Sequence, residues 1–123
     1  MAAAPVIWFE VVGKDARKLQ NFYGKIFDWK INADNPMNYG MVDAAGVGNE
    51  AGKGSIGGGV GPAPEGMPGY VTFYIQVDNT DAYLKKIESL GGKTVVPTTE
   101  IPNLVTFALF QDPEGNMVGL VKG

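Results

Sequence analysis

Residues 70–92 read YVTFYIQVDNTDAYLKKIESLGG, and this stretch decides the fold. Tyr70 to Val77 is rich in β-branched and aromatic types, which predicts a strand. Asn79 to Leu90 predicts a helix closed by Gly91-Gly92, because glycine takes the left-handed conformation that ends helices. Outward toward the C-terminus, Lys93 to Pro97, Leu104 to Phe110 and Met117 to Val121 predict three further strands. Outward toward the N-terminus the same order recurs. Residues 5–12, Pro-Val-Ile-Trp-Phe-Glu-Val-Val, predict a strand, and Asp15 then caps a helix. Ala16, Leu19, Tyr23 and Ile26 recur there at helical spacing, with Phe22 and Phe27 broadening the apolar face. Residues 28–32 and 37–43 predict short strands on either side of an Asn35-Pro36 turn, and Ser55 to Val60 predicts a glycine-rich strand. Strand, helix and three strands are thus repeated at an offset of about 65 residues, the mark of an internal duplication. The fold class is α+β, built from two βαβββ modules in a single domain. The first module covers about residues 5–60 and the second about 69–122, joined by a linker at about 61–68 whose glycines and prolines sustain neither a helix nor a central strand.

Composition narrows the function classes. With 123 residues the chain fits one domain, and 45% hydrophobic with 19% charged residues is an ordinary globular balance. No segment approaches the roughly 18 consecutive apolar residues of a membrane helix, and no basic-then-apolar leader opens the chain, so a cytoplasmic location and no membrane partner are expected. The net charge of -3 offers no footprint for polyanions, so no nucleic-acid partner is expected. The chain has no Cys and no His. That removes disulfides, thiolate nucleophiles, imidazole bases and every triad or metal site that needs them.

Alternate residues of a strand face opposite sides, which sorts the two leading strands. Phe9, Val11, Phe73, Ile75 and Val77 form an apolar set expected to pack under the helices. Trp8 and Glu10, with Thr72, Tyr74 and Gln76, form a mixed aromatic and polar set that suits a ligand-facing surface.

The motifs Gly-Lys-Asp15, Asn21-Phe22-Tyr23, Phe27-Asp-Trp29, Val77-Asp78-Asn79, Leu90-Gly-Gly92 and Asp112-Pro-Glu-Gly-Asn116, in this order and spacing, resemble the vicinal oxygen chelate superfamily of glyoxalase, bleomycin-resistance and dioxygenase proteins. The resemblance covers nearly the whole chain. It implies a cupped mixed sheet, a homodimer and, in metal-dependent relatives, a divalent ion held by two side chains from each module. The implied ligand positions land on Trp8, on Thr72 (or Tyr70 in a slipped register), on Gly119 and within Gly57 to Gly59. Indole has no lone pair suited to a metal and glycine has no side chain at all, so no metal and no cofactor are expected. An oxygen-only site drawing on Glu10, Asp43, Glu50 or Glu100 has no spacing in its favour.

The candidate ligand-binding residues are therefore Trp8, Tyr39, Thr72, Tyr74, Gln76 and Gly119, and the candidate catalytic residue is Glu10. Trp8 either stacks on a planar ligand or fills the volume of a lost metal site. Glu10 either serves as a general base in an apolar cavity, pairs with a neighbouring Lys or Tyr, or sits at a solvated strand edge. Tyr74, Gln76 and Thr72 either orient a polar ligand, satisfy one another across strands, or lie at an interface. The glycines from Gly54 to Gly61 lack the Lys-Ser/Thr ending and the following helix of a phosphate loop and point instead to close backbone approach or a mobile loop. The expected function is metal-independent binding of a small molecule of unknown identity. The alternatives are a cofactorless lyase or isomerase using Glu10 as base, and an accessory or structural dimeric subunit. Glyoxalase I activity is not expected, since that reaction resembles one that needs a metal to hold the enediolate oxygens.

Overall fold

Each helix begins where a side chain replaces a missing backbone acceptor. In the computed structural model, which describes residues 3–43 and 56–123, Asp15 accepts from the Lys18 backbone N–H at 3.1 Å and opens α1 (Ala16–Phe27). Asn79 does the same with Ala82 N–H at 3.1 Å and opens α2 (Thr80–Ser89). The strands are β1 (Val6–Gly13), β2 (Ile31–Asn32), β3 (Gly40–Val42) and β4 (Gly57–Pro62), then β5 (Tyr70–Val77), β6 (Lys93–Ile101), β7 (Val105–Gln111) and β8 (Met117–Lys122). The element order is two βαβββ modules in an α+β chain, as the repeat in the sequence predicts.

The chain forms two compact units, one of Trp8–Val71 and one combining the residues up to Ile7 with Thr72–Gly123. In the Trp8–Val71 unit the strand order is β2-β3-β4-β1, with β4 parallel to β1 and antiparallel to β3. Val12, Ala16, Val42 and Val60 are buried there. The Gln20 amide donates to the Val60 carbonyl at 2.8 Å and to the Asn38 carbonyl at 3.0 Å, which ties α1 to β4 and to the loop before β3. The apolar side of this unit is an aromatic cluster centred on Trp29, whose ring lies 5.3 Å from Phe9, 5.6 Å from Tyr23 and 5.5 Å from Phe27. Phe22 departs from the expectation. It touches Tyr23 edge-on and remains 54% exposed, as do Ile26 and Phe27. The apolar face of α1 is wider than the surface its own unit offers to cover it.

In the other unit the order is β5-β8-β7-β6, with β8 parallel to β5 and antiparallel to β7, so the second module repeats the pairing of the first. Its core is Val77, Leu84, Ala108 and Leu120, flanked by Ile75, Tyr83, Ile87 and Phe110. Ile75 and Val77 thus pack as expected, whereas Phe73 stays exposed. α2 ends as Gly92 N–H reaches back to the Ile87 carbonyl at 2.9 Å, with Gly91 at a φ of 98°. β6 runs past Pro97, where the sequence reading ends it. It is the edge strand in this order, and its register with β7 shifts on both sides of Val96, so a residue without an N–H breaks no required ladder bond.

The Asp112-Pro113-Glu114-Gly115 turn joins β7 to β8. The Asp112 carboxylate accepts from the backbone N–H groups of Glu114 and Asn116 and from the Asn116 amide, each at 2.9 Å. These bonds, that of the Asn116 side chain foremost, hold the Asp112 carboxyl below its ordinary value. A depressed folded value means that the stabilisation is fully present above the unfolded aspartate pKa of about 3.9 and is lost as pH falls through the folded value. An acid titration followed by carboxyl NMR is expected to show Asp112 protonating after ordinary aspartates, and Asp112→Asn to remove that late step.

Candidate functional site

The glycine run of β4 is a bed for aromatic rings. Trp8 pairs with Gly57 and Glu10 with Gly59 across the parallel β1 and β4 ladder. A Cβ at Gly57 would lie 3.2 Å from the Trp8 ring, and one at Gly61 would lie 2.7 Å from the Tyr39 ring. At Gly59 a Cβ would overlap the Tyr39 hydroxyl, and at Gly58, on the opposite face, it would overlap the Phe9 ring. Close approach, anticipated from the sequence, is thus chiefly approach by aromatic side chains, with the Val42 carbonyl also close at Gly57. Gly54 and Ser55 lie outside the described residues.

On that bed stands a directed chain of hydrogen bonds. Trp8 Nε1–H donates to the Tyr39 hydroxyl at 3.0 Å, and the Tyr39 hydroxyl donates to Glu10 Oε2 at 2.8 Å. Glu10 is only 8% exposed. Tyr39 is placed by the loop before it. The Asn35 amide donates to the Tyr39 carbonyl at 2.7 Å and accepts from its N–H at 3.0 Å, while Asn38 takes a φ of 53°, a conformation that asparagine tolerates. Burial and then the Glu10 charge push the Tyr39 phenol well above its ordinary range. Tyr70 is pushed up to about 12 by the same two causes, burial first. Both phenols therefore remain protonated donors at physiological pH.

The structure brings Trp8, Glu10 and Tyr39 together in one unit, and adds Tyr70, which the sequence reading considered only as a slipped ligand position. Tyr39 is a candidate for its place on the strand predicted at 37–43, and the sequence signal that goes with its placement is Asn35, four residues ahead, whose amide grips its backbone. Met41 is exposed on β3. Thr72, Tyr74, Gln76 and Gly119 gather in the other unit. Thr72 donates its hydroxyl to the Met117 carbonyl at 2.7 Å, and Tyr74, buried and paired with Gly119, lays its ring where a Gly119 side chain would project. Gln76 pairs with Val121 and its amide lies against Gly123. Glu10, Thr72 and Tyr74 are all buried, so the mixed polar face of the leading strands is packed as well as the apolar face that carries Ile75 and Val77.

A metal does not fit the implied positions. The Trp8 nitrogen is a donor already used by Tyr39, the Thr72 hydroxyl is used by a carbonyl, and the glycine positions are covered by the rings of Trp8, Tyr39 and Tyr74. Among the described residues no three acidic side chains cluster, so Glu10, Asp43 and Glu100 make no oxygen-only site, and Glu50 lies outside those residues. Two surface hollows stand apart from the predicted residues. One of about 430 Å³ is lined by Lys14 and residues 63–68, and one of about 310 Å³ by residues that include Glu100, Leu104 and Lys122. Neither is lined by Trp8, Glu10 or Tyr39. No helix among the described residues is long and apolar enough to cross a membrane.

Comparison with known proteins agrees with this architecture. Residues 6–120 match the family model described as Glyoxalase/Bleomycin resistance protein/Dioxygenase superfamily. CFP32 of Mycobacterium tuberculosis, whose name marks it as a provisional glyoxylase, is 32% identical over 115 residues, covering 92% of this chain and 43% of its own length. The anthracycline biosynthesis protein DnrV of Streptomyces peucetius is 25% identical over 126 residues, covering 88% of this chain and again 43% of its own. The chain therefore spans less than half the length of these relatives. A solved member of the glyoxalase/bleomycin resistance protein/dioxygenase superfamily from Vibrio splendidus superposes with a TM-score of 0.61 at 12% identity, covering 98% of this chain and all of that one. At that identity the likeness is one of fold.

Proposed function

Because the chain belongs to the Glyoxalase/Bleomycin resistance protein/Dioxygenase superfamily, we propose that it binds a small organic molecule without a metal, at the Trp8, Glu10, Tyr39 and Tyr70 group. The observation that supports this reading is the Trp8 to Tyr39 to Glu10 hydrogen-bond chain, which includes one of the implied ligand positions, Trp8, and holds an indole and a carboxylate in one orientation. An indole face stacks on planar ligands, and the protonated phenol of Tyr70 supplies a donor to a ligand oxygen.

The name of DnrV suggests an anthracycline, a planar aromatic compound, as the first probe. Titration followed by tryptophan fluorescence is expected to be saturable, with the probe recovered unchanged. Trp8→Ala is expected to weaken binding on the order of tenfold, the equivalent of one stacking contact. Equal affinity in wild type and Trp8→Ala would remove Trp8 from the site.

A second reading is favoured by the buried Glu10 with its orienting donor: a cofactorless isomerase or lyase. Glu10 would take a proton from carbon beside a carbonyl, and Tyr70 would hydrogen-bond the carbonyl oxygen as charge develops on it. Glu10→Gln would then abolish turnover with the fold intact, and turnover retained in that variant would exclude this mechanism. The protein is further proposed to act in the cytoplasm as a homodimer, which sedimentation of the purified chain checks directly.

A further inference from the structure

Tyr39 has both of its hydroxyl functions assigned within one unit. Indole nitrogen only donates, so the Trp8 contact obliges the Tyr39 oxygen to accept. The phenolic hydrogen is thereby directed away from Trp8 and onto Glu10 Oε2. The direction of the chain is set at its indole end and cannot reverse while Trp8 stays in place. The Tyr39 backbone is gripped from both sides by the Asn35 amide. Its ring position exists only because residues 59 and 61 carry no side chain.

We infer that Tyr39 is the positioning residue of this site: it holds the Trp8 indole and the Glu10 carboxylate in register with each other, and Gly59 is the residue that admits it. The inference rests on the reading that Trp8 and Glu10 meet the ligand, and it assigns Tyr39 no contact with that ligand. Phenylalanine at position 39 would keep the ring on its glycine bed and remove both hydrogen bonds at once. Alanine at position 59 would keep the hydroxyl but deny it its place. The two substitutions reach the same loss by opposite routes.

The test is hydrogen exchange of the two indole N–H groups in nitrogen-15-labelled protein, with Trp29 as the internal reference. In Tyr39→Phe the Trp8 indole is expected to exchange about tenfold faster, the scale of one net hydrogen bond, while Trp29 is unchanged. Gly59→Ala is expected to accelerate Trp8 in the same way. Affinity for the anthracycline probe is expected to fall in both variants in proportion to the Trp8 effect. Unchanged Trp8 exchange in a folded Tyr39→Phe protein would overturn the inference. So would equal acceleration at Trp8 and Trp29, which is the signature of general loosening. If wild type binds no anthracycline while Trp8 exchange still responds to position 39, the binding proposal loses its probe and the positioning role stands.

Discussion

Replacing Leu120 by alanine is expected to destabilise the protein by about 2–5 kcal/mol, the range for a leucine removed from a packed core that relaxes only partly. Leu120 is 2% exposed and belongs to the cluster of Val77, Leu84 and Ala108. It is paired in register with Ile75 on one side and Ala108 on the other. Those neighbours sit on strands whose ladders fix their separation, so the space left by the lost atoms closes poorly. The melting temperature is expected to fall by roughly 10 °C or more. Leu90, 70% exposed at the end of α2, is the comparison, and Leu90→Ala is expected to change stability by no more than about 0.5 kcal/mol. Calorimetry on the two variants decides the matter, and similar losses in both would contradict the core described here.

The second large effect is expected from a single added methyl group. Gly58→Ala places a Cβ inside the Phe9 ring. Phe9 has little room to yield, because its ring packs on Trp29, which is itself packed on Tyr23 and Phe27. Such overpacking costs about 1–3 kcal/mol. The neighbouring Gly57→Ala meets the Trp8 ring and the Val42 carbonyl at 3.2 Å, distances that a few tenths of an ångström of movement relieve. Gly58→Ala is therefore expected to be clearly the less stable of the two and to perturb the fluorescence of Trp29. Equal melting temperatures would mean that the aromatic cluster yields as readily as the site face.

The legible parts of this fold were local. Asp15 and Asn79 announce helix starts because a capping side chain reaches a backbone N–H only three residues ahead, within the same stretch of sequence. Gly91-Gly92 and the Asp112 to Gly115 turn were readable for the same reason. The misread parts depended on partners distant in sequence. Phe22 was placed in the helix's packed face by spacing alone, yet spacing carries no information on how much surface lies opposite, and the ring stays half in solvent. β6 continues beyond Pro97 because it is an edge strand, a property of strand order.

The candidate site divides along the same line. Trp8 and Glu10 share a face by strand parity, which the sequence settles without help. Tyr39 could be suspected but not oriented, since its ring is directed by a glycine bed twenty residues further on and by an amide in the turn before it. Tyr70 joins Glu10 only once the chain has folded back.

By itself the sequence determined the two βαβββ modules, their family and the poverty of metal donors, because periodicity, capping and residue chemistry are properties of short segments or of composition. The tertiary structure decided that the polar face of the leading strands packs as well as the apolar one, and why β4 carries its glycines. It also decided that an indole, a phenol and a carboxylate form one directed chain. Burial and hydrogen-bond direction depend on the atoms opposite, and the pairing of strands and loops alone brings those atoms into place.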